Sequence, residues 1–169
     1  MIEPKDMDKD GLLDLLADAA KNWLAHDGLW FQEAEQKYGI DVAIELDRNA
    51  WKKFTQIEAQ RIMKRLKMQP GGGIPALIQA LKFRLYAYIN RQTVVESSEK
   101  HCIFRMESCR VQDARKRKNL PDFPCKSVGI LEYTYFVMTI DPRIETKCIT
   151  CPPDPHPEEY YCCWEFRIK

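Results

Sequence analysis

Tyr160-Tyr161-Cys162-Cys163-Trp164-Glu165-Phe166-Arg167-Ile168 alternates without a break. Tyr160, Cys162, Trp164, Phe166 and Ile168 fall on one face, and Tyr161, Cys163, Glu165 and Arg167 on the other. That is the period of two of a strand with one face buried and one wet. Upstream, Ile144 to Thr150 reads as a second strand. Between the two lies Cys151-Pro152-Pro153-Asp154-Pro155-His156-Pro157, whose four prolines make a stiff loop that has no place at a sheet centre. Thr93-Val94-Val95 and His101 to Met106 read as two further strands about the Ser97-Ser98-Glu99-Lys100 turn. The polar run from Arg110 to Lys118 predicts a short helix. The run from Lys126 to Ile140 predicts another, although Tyr133-Thr134-Tyr135-Phe136-Val137 would also suit a strand.

The first 90 residues change to helical spacing. Asp8 or Asp10 caps a helix carrying Leu12, Leu13, Leu16, Ala19, Ala20, Trp23 and Leu24 on one stripe. His26-Asp27-Gly28 predicts a break, with Asp27 capping a short helix from Leu29 to Tyr38 that Gly39 ends. Asp41 is the expected cap of a long helix running to about Met68, and Pro75 opens one from Ala76 to Ile89. The expected class is therefore α+β. Helices of the N-terminal half (1–90) pack on a four-stranded antiparallel sheet in a cysteine-rich C-terminal half (91–169) with one or two further helices, in a single domain of 169 residues.

Composition narrows the function classes. Lys plus Arg number 26 and Asp plus Glu 25, so the formal charge is +1 and bulk attraction to nucleic acid or an anionic membrane is not expected. No apolar run approaches the roughly 18–20 residues of a membrane helix. The acidic start lacks the apolar core of a secretory signal, so a cytoplasmic location is expected. Charge is split: residues 1–50 hold 12 acids and 5 bases (−7), residues 51–100 hold 3 acids and 10 bases (+7). These blocks can attract within one chain or between two copies, which leaves a homodimer open. The basic run Arg115-Lys116-Arg117-Lys118 has no interleaved aromatic residue and reads as a solvated face. Trp23, Trp30, Phe31 and Trp51 read first as core, and as an apolar aromatic wall if a cavity exists.

All seven cysteines lie between Cys102 and Cys163. In a reducing compartment clustered thiols point to metal or redox chemistry more than to disulfides. Cys148 and Cys151 form C-x2-C, a spacing that brings two sulfurs to about 3.5–4 Å, as tetrahedral zinc–thiolate geometry requires. Cys162 follows after ten intervening residues, and Cys125 stands at the start of a predicted helix. Cys125, Cys148, Cys151 and Cys162 are the candidate metal ligands, with zinc the expected ion and an iron–sulfur cluster the alternative. Cys109 is a possible extra ligand. Cys102 reads as core beside Phe104 and Met106, and Cys163 as an outward-facing bystander. If the thiols catalyse instead, Cys125 or Cys162 is the nucleophile and His156 or His26 the base. A thiol redox sensor would use Cys148 and Cys151. His26-Asp27 with Glu33 and Glu35 reads first as helix capping and only second as an acid–base site.

Glu145-Thr146-Lys147-Cys148, the helix-opening Cys125 and Cys162-Cys163-Trp164 together resemble the C-terminal core of 4-vinyl reductase-type small-molecule-binding domains. The stretches His26-Asp27-Gly28-Leu29-Trp30-Phe31, Cys109-Arg110, Phe123-Pro124-Cys125, Ile140-Asp141-Pro142-Arg143 and Cys151-Pro152-Pro153-Asp154 resemble an uncharacterised family of bacterial and archaeal cytosolic proteins. That family is similar in turn to the L-2-amino-thiazoline-4-carboxylic acid hydrolases. The resemblance implies helices on an antiparallel sheet, a cysteine-lined site and a small-molecule ligand, with hydrolysis of small cyclic C–N or C–S compounds as the alternative.

Overall fold

A computed structural model describes residues 3–169. Helix α1 (Lys9–Tyr38) and helix α2 (Ile40–Leu66) form an antiparallel hairpin. Helix α3 (Gly73–Leu81) and a 3-10 turn (Leu85–Tyr88) lead into strands β1 (Gln92–Ser97) and β2 (His101–Met106). Helix α4 (Arg110–Arg117), helix α5 (Lys126–Ile140) and strands β3 (Ile144–Thr150) and β4 (Cys162–Ile168) complete the chain. The four strands run antiparallel in the order β1-β2-β4-β3, so the α+β expectation holds. Among the described residues no helix is long and apolar enough to cross a membrane.

Three expectations about the helices need correction. The sequence His26-Asp27-Gly28 does not break α1, which passes through it for 30 residues. A mid-helix glycine costs only about 1 kcal/mol, and the packing of α1 along α2 outweighs that. Asp27 is therefore not a cap. Asp41 is not one either: α2 begins at Ile40 directly after Gly39, with no side-chain cap bond. Gly39 holds φ 85°, which a residue with a Cβ avoids, and this lets the chain reverse in a single residue. The expected helix from Ala76 to Ile89 is shorter, ending at Leu81 and giving way to the 3-10 turn because Arg84 is drawn into the interior.

The main core lies between the sheet and α5, with α2 and α3 beyond. Cys102, Phe104, Trp164 and Phe166 from the sheet meet Tyr133, Phe136, Val137 and Ile140 of α5 and Leu77 and Leu81 of α3. Close approach of α5 to β4 needs Gly129, where an added Cβ would stand 2.9 Å from Trp164 Cζ2. Cys163 faces away from this core but is only 2% exposed, so it is not the surface bystander its alternation implied. It pairs across the ladder with Arg105, whose guanidinium stacks on Tyr160 and closes over that face.

Two buried polar knots tie the layers. Arg84, 1% exposed, donates Nε to Glu58 Oε2 at 2.8 Å and sets Nη1 2.7 Å from Glu132 Oε1, joining α2 to α5. Asp141 at the end of α5 accepts from Gly73 N at 2.9 Å and from Arg143, which in turn donates to Gly71 O. These bonds pull the Asp141 carboxyl down to about 2.

Candidate functional site

The α1–α2 hairpin does not close fully on α4 and α5. A cavity of about 420 Å³ opens between them and reaches β4, within the size range of small-molecule sites. A second aromatic cluster forms one wall. Trp51 stacks on Tyr86 at 5.6 Å, Trp23 packs edge-on to Trp51, and Phe31 meets Phe123 at 4.9 Å. Trp23, Phe31 and Trp51 thus belong to this core cluster, and Phe31 and Trp51 also line the cavity. Trp30, one position along the helix from Phe31, is 69% exposed and belongs to neither.

The wall on the α4 side is fixed by one buried side chain. Gln112 donates to Phe123 O at 2.9 Å and accepts from Phe123 N at 2.8 Å, and its amide reaches Cys125 Sγ at 3.6 Å. It therefore sets the segment before α5 and the position of Cys125 together. Lys126 N donates to Pro152 O at 2.8 Å, fastening the proline loop to the start of α5.

These supports bring Cys125, Cys151 and Cys162 into the cavity lining, with Cys148 near Cys151. Cys151 Sγ is 3.5 Å from Cys125 Sγ, and the Cys148 and Cys162 thiols lie near enough to perturb it. Sharing with three thiols keeps Cys151 protonated, its pKa far above the ordinary value. Cys148 moves the other way, because it accepts from Cys151 and the Lys126 ammonium is near. All seven cysteines are free. Among the described residues no three His, Cys, Asp or Glu side chains stand as ligands of one ion. Cys125, Cys151 and Cys162 line the cavity. Cys109 also lines it, and burial pushes its thiol up to about 12.

His156 is elsewhere. Its Nδ1 lies 2.8 Å from Pro157 O and its Nε2 3.6 Å from Asp122, outside the cavity lining. His26 is an exposed residue of α1, and Glu35 pairs with Arg115 at 3.2 Å. The structure does not bring His156 or His26 to the thiols.

The cavity wall also carries acids. Asp27 from α1, Asp47 from α2 and Glu132 from α5 line it. Burial together with the Asp27 and Glu132 charges lifts the Asp47 carboxyl to about 7, against a smaller downward pull from the Trp51 indole. Burial also raises Asp27 and Glu132, the latter despite Arg84. Neither Asp27 nor Asp47 makes an ion pair with a described residue, whereas Glu132 is paired to Arg84. Two lining residues also carry an unmet donor: the indole Nε1 of Trp164, fully buried, and the amide Nδ2 of Asn90, 8% exposed, are shut off from water and have no partner among the described residues. Sequence reasoning missed these acids because Asp27 read as a cap. An uninterrupted α1 is the signal that would have placed it beside Asp47.

Residues 5–168 match one family model, described as a family of unknown function (DUF6125), and the chain belongs to that family. No curated protein matches the chain. Among solved structures, the phenol-responsive sensory domain of the transcription activator PoxR, crystallised with phenol, is similar in fold. The TM-score is 0.57 at 16% identity, covering 85% of this chain and 73% of that one. These matches do not extend the resemblance to the L-2-amino-thiazoline-4-carboxylic acid hydrolases or the 4-vinyl reductase domains.

Proposed function

We propose that this member of the family is a small-molecule-binding domain whose ligand occupies the cavity between the α1–α2 hairpin and α5. The observation that carries the reading is the cavity of about 420 Å³ itself, whose lining includes Trp51, Phe31 and two residues with an unmet donor, Trp164 and Asn90. A buried N–H without an acceptor costs about 1–3 kcal/mol. A ligand oxygen supplying that acceptor recovers the cost while its apolar body covers Trp51 and Phe31. The fold neighbour supports the reading, since its sensory domain was crystallised with phenol. Phenol is accordingly the first probe. Calorimetric titration is expected to give saturable binding that weakens about five- to tenfold in Trp164→Phe, the magnitude of one hydrogen bond to a buried donor. Phenol binding left unchanged by Trp164→Phe would remove the donor from the account.

A second reading concerns the thiols. We infer that Cys125, Cys148, Cys151 and Cys162 can hold a zinc ion that stiffens the cavity floor. What favours it is the chemistry of the set: four free thiols from the α5 start, β3, the proline loop and β4 meet, and the 3.5 Å Cys125–Cys151 separation is near the roughly 3.8 Å edge of a zinc tetrathiolate. Among the described residues no three of these side chains stand as ligands of one ion, so the thiols would have to turn toward a common centre. Zinc would act there as a structural clamp. Elemental analysis is expected to give about one zinc per chain, lost in Cys148→Ser; a visible absorption band would favour the iron–sulfur alternative. Metal-free protein with two thiols lost reversibly under mild oxidant would favour redox sensing by Cys148 and Cys151. The hydrolytic alternative has Cys125 and Cys162 in the cavity wall but His156 outside it, and no reaction is assigned.

A further inference from the structure

We propose that a second copy of this chain covers the outer face of α1, the two helices packing antiparallel across a two-fold axis to form a homodimer. The proposal goes beyond the small-molecule reading and does not depend on it.

The first turns of α1 carry large apolar side chains that their own chain leaves open. Leu12, Leu13, Leu15 and Leu16 are 44%, 48%, 45% and 37% exposed, and Trp30 farther along the helix is 69% exposed. Ala20 is the one buried residue among the 30 of α1. Asp10, Asp14 and Asp18 follow one another four residues apart, on the side of the helix away from Leu12 and Leu16. The segment is thus amphipathic with its apolar side turned outward, the reverse of a helix that has found its partner. The four leucines and Trp30 present on the order of 500 Å² of apolar surface per copy, at the upper end of what a monomer leaves open. Two copies joined over them bury about 1,000 Å², the size at which a specific interface begins.

The pattern along α1 names the occupant. Leu12, Leu16, Ala19, His26 and Trp30 are exposed, and with the half-buried Trp23 they recur every three or four residues, the spacing of a two-helix seam. This seam is self-complementary when the second helix runs antiparallel. Leu12 then falls opposite the partner's Trp30, Leu16 opposite the partner's His26, and Lys9 opposite the partner's Glu33, each pair occurring twice. Lys9 and Glu33 are exposed and make no ion pair with a described residue of their own chain. A parallel pair would set like charges against each other at both ends. The formal charge of +1 per chain adds no general repulsion between copies.

Sedimentation of the full chain through a dilution series starting at about 100 µM tests the proposal. The wild type is expected at about 40 kDa, two chains of 19.9 kDa, dissociating on dilution. Leu16→Glu and Trp30→Glu, made separately, should each give the single-chain mass at every concentration with the far-ultraviolet circular dichroism of a folded helix. Ile57→Glu, on the outer side of α2 and 46% exposed in the wild type, should remain a dimer. Lys9→Glu should weaken association about fivefold, and Glu33→Lys in the same chain should restore it to within about twofold. That rescue belongs to the antiparallel register and does not require an apolar side chain to be replaced. A wild type that is monomeric throughout overturns the proposal, and binding of that monomer to anionic phospholipid vesicles would give the face to a membrane surface instead. A dimer that survives both Leu16→Glu and Trp30→Glu, or is lost in Ile57→Glu alone, overturns it by placing the interface elsewhere. Association unchanged by Lys9→Glu contradicts the antiparallel pairing.

Discussion

Asp47 shows how a single residue can be kept against stability. Its carboxyl is raised to about 7 by burial and by Asp27 on α1 and Glu132 on α5, with the Trp51 indole opposing. The folded state therefore holds a proton that the unfolded chain has released above pH 4. Between about pH 4 and 7 the folded form binds more protons, so this group's contribution to stability falls as pH rises through that window and is lowest above it. Asp47→Asn is expected to leave the melting temperature nearly unchanged at pH 4 and to raise it by a few degrees at pH 8, about 1 kcal/mol. A difference that does not vary with pH would show that Asp47 carries no such burden. Arg84 has the opposite character. Arg84→Met leaves Glu58 and Glu132 buried without a cation, and urea denaturation is expected to show a loss of about 3–5 kcal/mol. A loss under about 1 kcal/mol would mean that water reaches the pair. The acids of the cavity wall were not legible residue by residue: Asp27 and Asp47 lie 20 positions apart in sequence with no motif joining them, and only the helix hairpin sets them side by side.

At the scale of elements, much could be read. The period-two alternation of Cys162 to Ile168 and the run from Lys126 to Ile140 point to β4 and α5, β4 through its alternation and α5 through a length of mostly apolar residues packed on the sheet. The meeting of four thiols follows from the same elements, since β3 and β4 pair and α5 starts beneath the proline loop. What they do there does not follow. The first helix was misread because His26-Asp27-Gly28 has the local chemistry of a stop, and local chemistry loses when 30 residues pack along a partner helix. This gives a paired expectation. Gly28 sits inside a helix with only Gln32 Nε2 within 4 Å of an added Cβ, so Gly28→Ala should stabilise by about 0.5–1 kcal/mol. Gly39 holds φ 85°, so Gly39→Ala should destabilise by about 1–2 kcal/mol although nothing lies near its Cβ. Thermal melts of the two variants should shift in opposite directions. A stabilised Gly39→Ala would contradict the tight reversal between α1 and α2.

At the scale of the molecule, the protein has two unequal parts. The sheet, α3, α5 and the second half of α2 make a closed core, and α1 with the first half of α2 leans on it through aromatic side chains and leaves a gap. Anything that fills the gap joins the two parts, so ligand binding should stabilise the whole chain by mass action. The zinc inference stands apart from this, because a clamp at the thiols would stiffen the floor whether or not a ligand is bound. The central claim is that a small molecule enters this gap and meets the unmatched donors. Titration of nitrogen-15-labelled protein with phenol, followed at the tryptophan indole resonances, tests it most directly. The Trp164 signal, identified by its loss in Trp164→Phe, should shift saturably downfield as its N–H gains an acceptor, while the exposed Trp30 stays still. A Trp164 indole that does not move, or a response confined to Trp30, would contradict the account.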